Sequence, residues 1–217
     1  EFRKFKESTE SKIKIIAEKI EKQKEISFLH SGHLGDIINS LPLIKEISKN
    51  KKCKLFIEGN KPLPLNIQNA NDHYGKIFLT DDQIKKMLPL LKKQSYIKHV
   101  DIYNNQDIDI DLNLIRELPI NFYIDSVRWY FQLTGVHGEL DQPYLLNVGK
   151  HKIKDKVIII RSTKRKNRFI NYNFLNNYKE VLFLGLPEEF QDLKKEIFNL
   201  EYYECKDFLE MAEILKA

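Results

Sequence analysis

The chain has 217 residues, 42% of them hydrophobic and 31% charged, with 36 Lys and Arg against 31 Asp and Glu. That is too apolar for a disordered chain and long enough for one large domain or two small ones. The net charge of +5 is spread too widely for the dense basic stripe of a nucleic-acid binder, so no nucleic-acid partner is expected. Cys53 and Cys205 stand far apart and read as reduced thiols. No apolar run approaches the roughly 18–20 residues of a membrane span. The opening EFRKFKESTESK lacks the apolar core of a signal peptide. These features give a cytoplasmic protein as the expectation, with a peripheral place at a membrane left open. Glu1 in place of Met, and a final KDFLEMAEILKA that stops without a cap, suggest a fragment of something longer.

In chain order, residues 8–25 carry Ile13, Ile16, Ala17 and Ile20 on one stripe, which predicts a helix with Ser8 or Thr9 as its cap. This arm, residues 1–25, packs on the body or on a protein partner. Ile26 to His30 is a short apolar run that suits a buried parallel strand. Ser31-Gly32-His33-Leu34-Gly35-Asp36 then turns into a helix with Ile37, Ile38, Leu41, Leu43, Ile44 and Ile47 at helical spacing. Cys53 to Glu58 is a second strand and completes a β-α-β unit. Residues 59–75 form a loop rich in Pro, Asn and Gly. Lys76 to Leu79 reads as a third strand, 81–93 as a helix and Ile97 to Tyr103 as a fourth strand. Phe122 to Leu133 is an amphipathic helix ended by glycine at 135.

Residues 140–156 form an extended linker, and a second β-α series follows. Val157 to Ile160 is its first strand and Arg161 to Arg168 a basic turn. Asn173 to Tyr178 is a short helix or turn. Val181 to Leu184 is a strand, 188–198 a helix, Leu200 to Tyr203 a short strand and Asp207 to Lys216 a helix. The alternation predicts an α/β protein with parallel sheets. Its first Rossmann-like domain spans 26–139, and a second, incomplete one spans 157–217.

A strand feeding a glycine turn into a helix N-terminus can bind an anion, because glycines admit a close approach and free N–H groups point at it. Gly32 and Gly35 provide such a turn. Asp36 falls at the carboxyl end of the first strand, where open α/β sheets place ligands. It is equally an ordinary N-cap, and both roles fit one ionised carboxylate. His30 and His33 flank it as acceptor-side or phosphate-touching candidates, or as exposed loop histidines. In the second series, Arg161, Ser162, Thr163, Lys164 and Lys166 suit a diphosphate, or form a solvated basic loop. Gly185 and Glu188 follow the next strand as donor-side candidates, although a Glu there also favours a helix N-terminus.

The segment HSGHLGDIINSLPLIKEI resembles the first motif of the family 9 glycosyltransferases, the ADP-heptose:lipopolysaccharide heptosyltransferases and their relatives. Gly35-Asp36 and Leu41-Pro42 match in type and spacing, and the resemblance covers residues 26 to 217. It implies a GT-B-like fold with two Rossmann-like domains facing a cleft, and a nucleotide-sugar donor bound in part by the turn at 161–166 and by Gly185 and Glu188. It also implies a glycan or glycolipid acceptor, Asp36 as general base, and no bound metal or other cofactor. The family's donor-site Asp-Gly-x-x-His segment has no counterpart in this sequence. A non-catalytic binding or assembly protein on the same scaffold, and a nucleotide-sugar epimerase, are the competing readings.

Overall fold

The computed structural model describes residues 2–63, 76–121, 123–162, 167 and 169–217. Two compact units are present, Glu1–Asn147 and Val148–Ala217. In the first, the elements are α1 (Phe2–Lys22), β1 (Glu25–His30), α2 (Leu34–Ser48), β2 (Lys52–Ile57), α3 (Asp81–Lys92), β3 (Ile97–Ile102), β4 (Ile110–Asp111), a 3-10 helix (Leu112–Arg116) and α4 (Ser126–Thr134). The second holds β5 (Val157–Ile159), a 3-10 helix (Tyr172–Asn177), β6 (Val181–Phe183), α5 (Pro187–Lys194), β7 (Leu200–Tyr202) and α6 (Phe208–Lys216).

The first unit is built on a four-stranded parallel sheet of order β3-β2-β1-β4. β1 pairs in register with β2 from Glu25 opposite Lys52 to His30 opposite Ile57. The period of two along β1 sets Ile26, Phe28 and His30 on one face and Ser27 and Leu29 on the other. α2 covers the first face, where the Cys53 thiol reaches the Ile44 carbonyl. α4 lies there too, through Tyr130 against His30. α1 covers the Ser27 and Leu29 face, where the Lys19 ammonium holds the Asp109 carbonyl at 2.7 Å. Ile26, Phe28, Ile37, Leu41, Ile44, Leu55 and Ile57 have no exposed surface and form the centre of this core. The second unit has a three-stranded parallel sheet, β5-β6-β7, with Val181, Phe183, Leu193 and Ile197 fully buried beside it. The fold is therefore α/β with two parallel sheets.

Helix ends follow local chemistry. The Thr80 hydroxyl accepts from Gln83 N–H while the Gln83 side chain accepts from Thr80 N–H, a reciprocal cap for α3. Asp125 caps α4 at the Arg128 N–H, and Gly135 ends it at φ 69°, in the left-handed region where glycine is favoured. Asp207 caps α6.

Three expectations change. α1 starts at Phe2, so Ser8 and Thr9 lie inside the helix and cap nothing. Lys76 to Leu79 is not a sheet strand: Ile77 makes one antiparallel bridge to Pro62, and Lys61 and Leu63 exchange backbone hydrogen bonds with Phe78 and Lys76. Its apolar side chains are still buried, Phe78 at 4% and Leu79 at 2% exposure, which accounts for the strand-like run. Conversely, β4 was not anticipated. It follows β3 after a short segment, 103–109, that crosses the α1 side of the sheet, with the Asp107 carbonyl held by the Ser27 hydroxyl.

Candidate functional site

Strand order locates the site. The chain runs outward from β1 to β2 to β3, then returns to place β4 on the other side of β1. Connections diverge at that reversal, and the crevice at the carboxyl ends of β1 and β4 is where open α/β sheets bind ligands. The β1–α2 turn and the 3-10 helix Leu112–Arg116 meet there.

Asp36 stands in the first turn of α2 as its third residue, not as its N-cap; His33 is the cap. The Asp36 Oδ2 accepts from the His33 backbone N–H at 3.1 Å and from Arg116 Nη2 at 2.8 Å. Among the described residues, Oδ1 has no protein partner. The Asp36 and Arg116 side chains keep 24% and 25% of their surface exposed. Arg116 is itself held in place, with its guanidinium 4.7 Å from the Phe78 ring centre and Nη1 near the Asn113 side-chain oxygen. Asn113 in turn accepts from the Ser31 N–H and hydroxyl, and donates to Asp111.

His30 is not a ligand-facing residue. It is wholly buried, and both ring nitrogens are taken. The Gly32 N–H donates to Nδ1 at 2.9 Å, so Nε2 carries the proton and donates to the Tyr130 hydroxyl at 2.8 Å. That hydroxyl donates onward to the Asp36 carbonyl at 3.0 Å. Burial, helped by the Arg116 charge, pushes the imidazole down to about 3, so it stays neutral. His30 and Tyr130 thus pin the start of α2 from below. His33 remains at the rim, half-buried, with Nδ1 on the Phe78 carbonyl at 3.2 Å.

The two glycines differ. A Cβ on Gly32 would meet Arg116 Nη2 at 2.7 Å, His30 Cε1 at 2.7 Å and Asp36 Oδ2 at 2.8 Å. A Cβ on Gly35 would meet nothing within 4 Å. Gly32→Ala is therefore expected to cost about 1–3 kcal/mol. Gly35→Ala should be neutral or gain up to about 1 kcal/mol from helix propensity. Urea titration of both variants checks the contrast; equal effects would show that Gly32 is not closely packed against the Asp36–Arg116 pair.

In the second unit, Arg161 follows β5 and is nearly enclosed, its side chain 5% exposed. Its Nη2 pairs with Asp192 of α5 at 2.7 Å, and its guanidinium lies 5.5 Å from the Tyr172 ring centre. Among the described residues, its Nε and Nη1 are buried without a hydrogen-bond partner. Ser162 is exposed. Thr163, Lys164 and Lys166 lie outside the described residues. Gly185 follows β6, its carbonyl held by the Tyr202 hydroxyl at 3.1 Å. Glu188 is exposed in the first turn of α5, whereas its neighbour Glu189 is buried and turned back to the Leu186 N–H. Gly185 and Glu188 thus share a sheet end with Arg161. Among the described residues, no group of three or more His, Cys, Asp or Glu side chains is placed to hold a metal ion, and no helix is long and apolar enough to cross a membrane.

Sequence reading missed Arg116, Asn113, Phe78 and Tyr130, which position Asp36 from 42 to 94 residues away. No local pattern links them to it.

No protein-family model matches the sequence, and no curated protein matches it. Among solved structures, the chain is similar to a glycosyl transferase family 9 protein from Veillonella parvula DSM 2008, with 12% sequence identity and a TM-score of 0.48 over 88% of this chain and 72% of that one. The functional reading rests on the residues themselves.

Proposed function

We propose that the protein is a glycosyltransferase that moves a sugar from a nucleotide-sugar donor to an acceptor hydroxyl. The observation that carries this reading is the Asp36 carboxylate at the β1/β4 crevice, with Arg116 on one oxygen and the other oxygen without a partner among the described residues. Oδ1 takes the acceptor proton as the acceptor oxygen attacks the anomeric carbon of the donor. The bond from that carbon to the phosphate oxygen breaks, and the nucleoside diphosphate leaves with the electron pair. In the second unit, Arg161, whose Nε and Nη1 are buried without a hydrogen-bond partner among the described residues, is the candidate cation for a donor phosphate. The motif Gly35-Asp36 with Leu41-Pro42 supports the same assignment through its resemblance to family 9 sequences. Ser162, Gly185 and Glu188 fall to the donor side in this reading, and His33 to the acceptor side.

Thermal unfolding with UDP-, GDP-, ADP- and CMP-sugars tests it. One nucleotide class should raise the melting temperature, since a ligand at 100 times its Kd adds about 2.7 kcal/mol. Arg161→Met should abolish that shift. No shift with any donor would overturn the assignment for this chain.

A further inference from the structure

On the α1 side of the first sheet, away from Tyr130, lies a shallow cavity of about 330 Å3, wide open to solvent. This size is at the lower end of small-molecule pockets, which run from about 300 to 1,000 Å3. Ile15 and Ile16 of α1, Leu29 of β1, Ile108 of the crossing segment and Leu114 of the 3-10 helix form apolar walls. Ile15 is 53% exposed, an aliphatic side chain left open to solvent beside it.

The polar rim is unevenly committed. The Lys12 ammonium is taken by Glu117 at 3.2 Å. Asp109 is tied through Oδ2 to the Ser27 N–H and hydroxyl at 2.8 and 2.7 Å, and the Gln23 side chain also hydrogen-bonds to its carboxylate. Asp111 differs. Its Oδ1 accepts from the Asn113 N–H and side-chain amide, while among the described residues its Oδ2 has no partner. With Tyr103 also in the lining, the cavity therefore offers mainly aliphatic walls and, among the described residues, one carboxylate oxygen of Asp111 free to accept, with its lysine already paired.

We infer that this cavity binds a small molecule with an aliphatic body and a cationic amine, the ammonium facing Asp111. An acid would meet the two aspartates. A neutral alcohol of the same length gains the walls but not the charge-assisted hydrogen bond. This site is separate from the sugar-transfer reading and stands or falls without it. The two are nonetheless linked structurally, since Asp111 holds Asn113, which lies against Arg116 beside Asp36.

Calorimetric titration of the full chain with n-hexylamine, n-hexanol and hexanoate at neutral pH tests the inference. Hexylamine should bind, hexanol about tenfold more weakly, and hexanoate not measurably. Asp111→Asn retains an acceptor for Asn113 and should bring hexylamine to the level of hexanol. Leu114→Phe, which narrows the cavity, should weaken both. Equal binding of amine and alcohol, binding unchanged in Asp111→Asn, or no binding by any probe would each overturn the inference. A donor-induced thermal shift that persists while all three probes fail would overturn this site and leave the transferase reading standing.

Discussion

Asp36→Asn should lower sugar transfer by roughly 10²–10⁴-fold, the usual contribution of a positioned general base, with little change in stability. The substitution is nearly isosteric. An amide oxygen can still accept from the His33 N–H and from Arg116, the two contacts that Oδ2 makes now. What it cannot do is take up the acceptor proton. Steady-state rates with the donor identified by thermal shift, together with urea unfolding of the same variant, separate chemistry from folding. A variant that transfers sugar at the wild-type rate would show that Asp36 only orders the first turn of α2. Arg116→Met tests the positioning half of the pair. It removes the partner of Oδ2, so the carboxylate loses its fixed orientation and turnover should fall while donor binding holds.

The second large effect is on stability and comes from His30. Its folded-state value near 3 lies below the ordinary 6.5 because the ring is buried and faces the Arg116 charge. The neutral form is therefore the one that folds. Above about pH 6.5 both the folded and unfolded chains carry neutral imidazole, and the full stability is present. As pH falls from 6.5, the unfolded chain takes up a proton that the folded chain refuses, and stability declines until about pH 3, where the folded ring also charges. The two values bound the loss at about 4–5 kcal/mol, with about 3 kcal/mol already gone at pH 4. Carboxylates held in the fold add to acid lability, so the test is a difference. Urea unfolding of wild type and His30→Gln at pH 7 and pH 4 should give a much smaller pH effect in the variant. The variant loses stability at pH 7, because the Gly32 N–H or the Tyr130 hydroxyl is left short of a partner. Equal pH effects in the two proteins would show that His30 is not the buried neutral group described above.

Much of the architecture is legible in the chain. Short apolar runs at 26–30, 53–58, 97–103, 157–160, 181–184 and 200–203 appear as β1, β2, β3, β5, β6 and β7 within a residue or two. The intervening helices follow their apolar stripes, although α4 begins only at Ser126, α5 ends at Lys194 and the expected caps of α1 and α2 are not the ones used. Two misses had readable signals. Ile108, Ile110 and Leu112 alternate with aspartates, the period-two mark of a half-buried strand, and β4 lies there. His30 shares parity with Ile26 and Phe28 along β1, so strand geometry turns it inward with them. The run at 76–79 misled for a physical reason: it is as apolar as a strand because it is buried, but it pairs with 60–63 and not with the sheet.

The sequence by itself determined the local units: the β-α alternation, the β1–α2 glycine turn, and the place of Asp36 in the first turn of a helix at a strand's carboxyl end. Each depends on residues a few positions apart, where periodicity and capping chemistry act. Only the tertiary structure decided that β4 returns beside β1 to open the crevice, that Arg116 takes one oxygen of Asp36, and that His30 and Tyr130 hold the turn from beneath. Those contacts join residues 80 to 100 positions apart. They arise from strand order and burial, which no short window of sequence contains.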